Sequence, residues 1–228
     1  MMLDVPRLSS SPIMDGCPDD TVWSEASRAD SFYQFSFRHP AALPTQNPTT
    51  MWIGYTDRYL YVAFRGQDAR PDSLVANFTP DMAASADTYD GGPLQGITIW
   101  QDDMVELFLD ADFDHKDYAH IGINSQGVRV DEWIRGSRQE ILQNGGSPAD
   151  WNDSSWRAHD EVAAFVGDDH WSIEYRLEFS GDEFPRPTPG TVWGFNLVRV
   201  FRGEEYSQWV RTYAGGHSPN DFGVLRFQ

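Results

Sequence analysis

The chain has 228 residues, enough to bury a full core and within the range over which an all-β fold stays undivided. Its formal charge is −18 at pH 7, with a single lysine, Lys116, against sixteen arginines, and Asp outnumbers Glu. That sign excludes a basic nucleic-acid face and disfavours an anionic membrane surface, while a neutral ligand carries no penalty. Salt adaptation and biased genomic composition would each give an acidic, lysine-poor chain. Cys17 is the single cysteine, so no intramolecular disulfide forms and the redox compartment cannot be read from it. Met1 to Ser11 lacks the pattern of a signal peptide, and no apolar run reaches the length of a membrane span.

Strand-like runs follow one another along the chain, with almost no helical periodicity. Residues 1–12 are expected to form a flexible arm, and 13–228 a single domain. Thr50–Thr56 and Tyr59–Arg65 flank Asp57-Arg58, the pattern of a hairpin with a tight turn. In the second run Leu60, Val62 and Phe64 point one way, and Tyr59, Tyr61 and Ala63 the other. Met104–Asp110, Tyr118–Asn124 and Val128–Trp133 come next, the last two joined by a turn at Ser125-Gln126-Gly127. Then come Trp156–Phe165, Trp171–Phe179, Val192–Phe201, Tyr206–Arg211 and Phe222–Phe227. About ten strands with turn signals between them predict an all-β antiparallel sandwich in two sheets, of jelly-roll or immunoglobulin-like type. Two long polar connections, Gln67–Ile99 and Arg135–Ser155, are candidates for binding loops.

Nine Trp must either fill a core or stand on the surface for a reason, because exposed aromatic area is unfavourable in water. Trp100 follows a Gly-rich polar stretch and precedes two acids, which suits an exposed platform. Trp209, on a strand, points inward or outward with even odds. Alternation puts Val105, Leu107 and Leu109 on one face, and Met104, Glu106 and Phe108 on the other. An acid between apolar neighbours suits a partly enclosed site. Asp110, Asp112, Asp114 and Asp117 follow that strand at alternate positions, an oxygen set that suits Ca²⁺ as well as it suits a solvated acidic turn. It is no EF-hand, since His115 and Ile121 stand where Gly and Glu belong. Asp15, Asp19 and Asp20 form a weaker cluster.

Several landmarks then resemble family 9 carbohydrate-binding modules. These are Ile13-Met14-Asp15-Gly16 followed by Asp19-Asp20, Trp23 and Ala26; Leu60-Tyr61-Val62 followed by Asp68; and Trp100-Gln101-Asp102-Asp103-Met104-Val105-Glu106-Leu107-Phe108-Leu109-Asp110. Ile123-Asn124 with Gly127, Trp171-Ser172-Ile173-Glu174, Gly194-Phe195-Asn196 and Pro219-Asn220-Asp221-Phe222-Gly223-Val224-Leu225 complete the order.

The resemblance implies a jelly-roll-like sandwich without catalytic activity, holding a sugar ring between Trp100 and Trp209. Glu106 would accept sugar hydroxyls, with Asp68 as a second acceptor. It also implies structural calcium, a polysaccharide ligand of plant or algal type such as xylan or cellulose, bound along the chain or at its ends, a glycoside hydrolase as partner, and an extracellular or periplasmic location. One departure stands out: where relatives place an Arg near the sugar, this chain has Gly122, and His120 or Arg129 could stand in for it.

Three other readings stay open. A glycosidase would pair Glu106 with Glu132 or Asp131. A haem-binding electron-transfer subunit would use Lys116 with Met104 or His120. A structural or interaction domain would keep the fold without the sugar site.

Overall fold

The computed structural model describes residues 1–35, 43–85, 97–136, 141, 143–146, 148–213 and 215–228. Parts of both long connections, including 86–96 and 137–140, lie outside the described residues.

The described chain forms fourteen strands: β1 (Met2–Val5), β2 (Ser27–Ala29), β3 (Tyr33–Gln34), β4 (Thr49–Tyr55), β5 (Tyr59–Gln67), β6 (Met104–Asp110), β7 (Tyr118–Asn124), β8 (Arg129–Ile134), β9 (Asn152–Asp153), β10 (Asp160–Val166), β11 (His170–Glu178), β12 (Val192–Phe201), β13 (Glu205–Gln208) and β14 (Gly223–Phe227). One sheet runs β1-β14-β12-β6-β7-β8-β9, with β13 pairing β12 and β3; the other runs β10-β11-β5-β4-β2. All pairings are antiparallel except β1 with β14. The expected antiparallel sandwich in two sheets is therefore the observed one.

Period-two alternation places the core. Leu60, Val62 and Phe64 of β5 meet Val105, Leu107 and Leu109 of β6, Ile121 and Ile123 of β7, and Trp193, Phe195 and Leu197 of β12. The predicted hairpin closes as read, with Thr56 N–H donating to the Tyr59 carbonyl at 2.9 Å across Asp57-Arg58.

The outer face of the larger sheet is also apolar, because loops cover it. Met104, Val130 and Val200 pack under Phe78, Ile99 and Trp100. Phe108, Tyr118, Ile134 and Val198 pack under Phe35, Trp151 and Phe222. Strand β6 is thus buried on both sides, and this explains its nearly unbroken apolar run.

The N-terminal segment is no loose arm. Met2–Val5 pairs with β14 in register Leu3 with Leu225, and Val5 and Leu8 are buried. Leu8 N–H donates to the Tyr55 carbonyl at 2.7 Å, and Tyr55 N–H to the Pro6 carbonyl at 3.0 Å. A four-residue parallel edge strand leaves too short a pattern to read from sequence.

Candidate functional site

The site is built on the outer face of β6, β7 and β8. Register sets Phe108, His120 and Glu132 side by side, and Glu106, Gly122 and Val130 in the next row. Trp100 enters from a single 3₁₀ turn, Ile99–Gln101, just before β6.

Two buried acids fix that turn. Asp102 accepts hydrogen bonds from the amides of Asn77 (2.8 Å) and Phe78 (3.1 Å) and from Asn124 Nδ2 (2.9 Å). Asp103 accepts from the amides of Val75 and Arg202, both at 2.8 Å. Burial pushes both carboxyls up, against these hydrogen bonds. The acids following Trp100 thus pin the 75–78 segment to the start of β6 and set the direction in which the indole leaves the turn.

The half-buried Trp100 indole lies flat on the imidazole of His120, with centroids 4.8 Å apart and planes 10° apart. Phe108 stacks on the other face of the same imidazole at 4.5 Å and 13°. Gly122 makes room for this arrangement. A Cβ there would come 2.9 Å from Trp100 Cζ3 and 2.9 Å from Met104 Cε, closer than real Cβ contacts come. The glycine is a bed for the indole, and any side chain at 122 would push Trp100 off the strand.

Carboxylates close both edges of the imidazole. Glu106 Oε2 lies 3.0 Å from His120 Nε2, and Glu132 Oε2 lies 3.1 Å from Nδ1. Burial works against a charge on this ring, but hydrogen bonds and charge from both glutamates outweigh it and push His120 up to about 9. As an imidazolium the ring would donate from both nitrogens, one to each glutamate. Glu132 is fully buried, whereas the Glu106 side chain keeps 15% of its exposure. Among the described residues, Glu106 Oε1 carries no protein hydrogen bond. His217 meets the His120 ring edge-on at 4.7 Å from the loop after β13, with Tyr118 Oη 2.9 Å from its Nδ1.

The other sequence-derived candidates lie elsewhere. Trp209 is 2% exposed and packs on Phe195 in the inter-sheet core, so its indole offers no platform. The chain bends directly after β13, and the alternation carries residue 209 inward. Asp68 is no free acceptor: both its oxygens meet Arg202 Nη2, at 2.7 and 2.8 Å, and Oδ1 takes the Arg70 amide at 2.7 Å. Arg129 turns to the opposite face, bridging Asp131 at 2.9 Å and Asp160 at 2.7 Å, so His120 alone occupies the place considered for either.

Asp110, Asp112 and Asp114 can bring one carboxylate oxygen each within 4.8 Å of one another, with Asp110 buried and the other two exposed. Burial and the neighbouring Asp112 and Asp114 push Asp110 up to about 6, despite the His115 amide bond that favours its charged form. Asp117 is outside this group and takes the Gly136 amide at 3.0 Å. A buried oxygen donor joined by two exposed ones is a set that fits Ca²⁺, a hard cation.

Sequence reasoning named His120 and Glu132 separately but missed that His120 joins Glu132 to Glu106, and it missed the exposed Tyr213. Tyr213 is 65% exposed and belongs to the same loop as His217, with the Arg211 guanidinium 5.0 Å from its ring centroid. The available signal was His120 at a two-residue offset from Gly122, facing the same way as Glu106.

Two opposed sheets, one with a loop-covered outer face that carries this stack, define a jelly-roll-like β-sandwich. Within that class the fold is the one seen in family 9 carbohydrate-binding modules. Such a module from Caldicellulosiruptor kristjanssonii, in complex with glucose, superposes with a TM-score of 0.64 at 17% identity, covering all of this chain and 96% of its own. In complex with cellotriose the values are 0.62, 18%, all of this chain and 94%. A carbohydrate-binding protein assigned as putative, from Bacteroides uniformis, gives 0.64 at 14% identity, over all of this chain and 99% of its own. No protein-family model and no curated protein matches the sequence.

Proposed function

We propose that the protein binds carbohydrate without acting on it chemically, with a pyranose ring laid on Trp100 and hydroxyls donated to Glu106. The observation that carries this is the half-buried indole held flat beside a carboxylate with one oxygen unengaged among the described residues. A sugar has an apolar C–H face and a rim of hydroxyls, and this pairing offers a partner for each. Tyr213 replaces Trp209 as the candidate for a second aromatic wall, since it is exposed and its loop reaches the His120 stack through His217. The glucose and cellotriose complexes of the structural neighbours favour β-linked glucose chains of the cellulose type, or their ends.

A glycosidase needs two carboxylates facing each other across the scissile bond. Here Glu132 is sealed behind His120, and Asp131 is buried against Arg129 and the Ala158 amide, which favours binding over hydrolysis. The haem reading loses support too, because Lys116 stands exposed near Asp114 while Met104 is buried beneath Trp100.

Asp110, Asp112 and Asp114 would hold a structural Ca²⁺ and staple the turn after β6. A module of this kind would serve a glycoside hydrolase outside the cytoplasm, where polysaccharide is found.

The test is isothermal titration with glucose, cellotriose and xylo-oligosaccharides, for wild type and Trp100→Ala. Binding by wild type, weakened ten- to a hundredfold in the variant, is expected from losing an aromatic contact of about 1.5–3 kcal/mol. No binding by wild type would favour a domain that has kept the fold and lost the site.

A further inference from the structure

We infer that His120 is the positioning residue of this site: as an imidazolium it aims the Glu106 carboxylate at the ligand and anchors the Trp100 platform. The inference rests on the carbohydrate-binding reading and adds a pH-dependent element to it.

The geometry carries the argument. A flat ring fits between Phe108 and Trp100, which stack on its two faces at 4.5 and 4.8 Å. A protonated imidazole has two N–H donors about opposite each other, and each meets a carboxylate, Glu106 at 3.0 Å and Glu132 at 3.1 Å. A neutral imidazole has one donor and one acceptor, so one glutamate would then face a lone pair.

Two carboxylates share this ring, and they differ in freedom. Glu132 is fully buried, and its Oε1 has no hydrogen-bond partner among the described residues. Among the described residues, His120 is the one cationic partner that can compensate its charge. Glu106 is partly exposed and can turn into water. Removing the proton therefore releases Glu106 and leaves Glu132 with the remaining N–H.

The platform depends on the same charge. A cation beneath the indole attracts its π face, so the imidazolium holds Trp100 down on Gly122. The remaining ring neighbours are aromatic: Phe108 from β6, Trp100 from the 3₁₀ turn, and His217, itself a titratable imidazole, edge-on with the Tyr118 hydroxyl 2.9 Å from its Nδ1. Glu106 on β6 and Glu132 on β8 are thus the groups that set its protonation, and they push it to about 9 against the effect of burial.

The experiment has two readouts on wild-type protein. The first follows the ring nitrogens of ¹⁵N-histidine-labelled, ligand-free protein by NMR from pH 5 to 10.5, with His120 assigned from the His120→Gln spectrum. The second measures cellotriose affinity at the same pH values, with circular dichroism confirming the fold at each. The ring should be doubly protonated at pH 7 and titrate near 9, and affinity should drop at least tenfold from pH 7 to 10 with the same midpoint. In Glu106→Gln the ring should titrate closer to 6.5. A ring that is neutral at pH 7, or cellotriose affinity that stays flat from pH 7 to 10, overturns this inference and leaves the sugar site standing. No cellotriose or glucose binding at pH 7 overturns the carbohydrate reading itself, and with it any role of His120 in positioning a sugar, whatever its titration.

Discussion

Gly122→Ala is the sharpest test of how the platform is laid, because it needs no ligand. The new Cβ would sit 2.9 Å from Trp100 Cζ3, 3.2 Å from Cη2 and 2.9 Å from Met104 Cε. Ordinary van der Waals contact begins near 3.4 Å, so each neighbour must retreat by roughly half an ångström. The Met104 methyl is the end of a flexible chain and can swing away. The indole is rigid, its turn is pinned through Asp102 and Asp103, and retreat separates it from the His120 ring. Overpacking of this kind costs about 1–3 kcal/mol, partly offset by about 0.5–1 kcal/mol from replacing glycine inside a regular element. Those bounds leave a net loss of about 0–2.5 kcal/mol, and because the indole is rigid and its turn pinned, the expected value lies in the upper half, about 1–2 kcal/mol, read as a fall in melting temperature of roughly 2–6 °C for a domain of this size. Urea denaturation should show the same loss with an unchanged slope. A variant as stable as wild type or more so would refute the claim that the indole rests on the β7 backbone.

Three further outcomes follow from the same geometry. His120 is raised from 6.5 to about 9, so its contribution is complete below pH 6.5 and is lost as pH rises through 9; urea titrations across that window should show a fall on the order of 3 kcal/mol, largely absent in His120→Gln. Ca²⁺ should raise the melting temperature and EDTA lower it, both effects vanishing in Asp110→Asn and weakening below pH 6 as Asp110 takes up a proton in competition with the cation. Trp209→Ala should cost about 3–5 kcal/mol of stability as a core cavity, and Asp68→Asn about 3 kcal/mol as a broken buried pair with Arg202; neither should change sugar affinity in the folded protein, as titration calorimetry would check.

The fold was legible where a pattern extended over five residues or more. Alternation in Tyr59–Arg65 and Met104–Asp110 gave the strands, their inward faces and the β4–β5 hairpin. Strands of two to four residues, such as Tyr33–Gln34 and Asn152–Asp153, carry no readable period and exist because a neighbour offers an edge. The N-terminal strand was hidden for the same reason: its partner lies more than two hundred residues away at β14. In the site, Trp100 and Glu106 could be read from their place at the loop–strand junction and on one face of a strand. His120 could not, because its meaning comes from the register of three strands, which puts two carboxylates at its edges and two rings on its faces. Trp209 misled because it follows a strand of only four residues, too short an alternation to fix from sequence which way residue 209 faces. Asp68 misled because its partner, Arg202, lies in a turn far along the chain.

The most direct measurement of the central claim is a crystal structure of the protein with cellotriose. A glucosyl ring should lie against the exposed part of the Trp100 indole, with a hydroxyl within hydrogen-bond distance of Glu106 Oε1 and the imidazole of His120 still held between Glu106 and Glu132. Cellotriose seated elsewhere, for instance in the cleft of about 400 Å³ lined by Arg7, Tyr55, Asp57 and Arg186, with the Trp100 stack untouched, would contradict it.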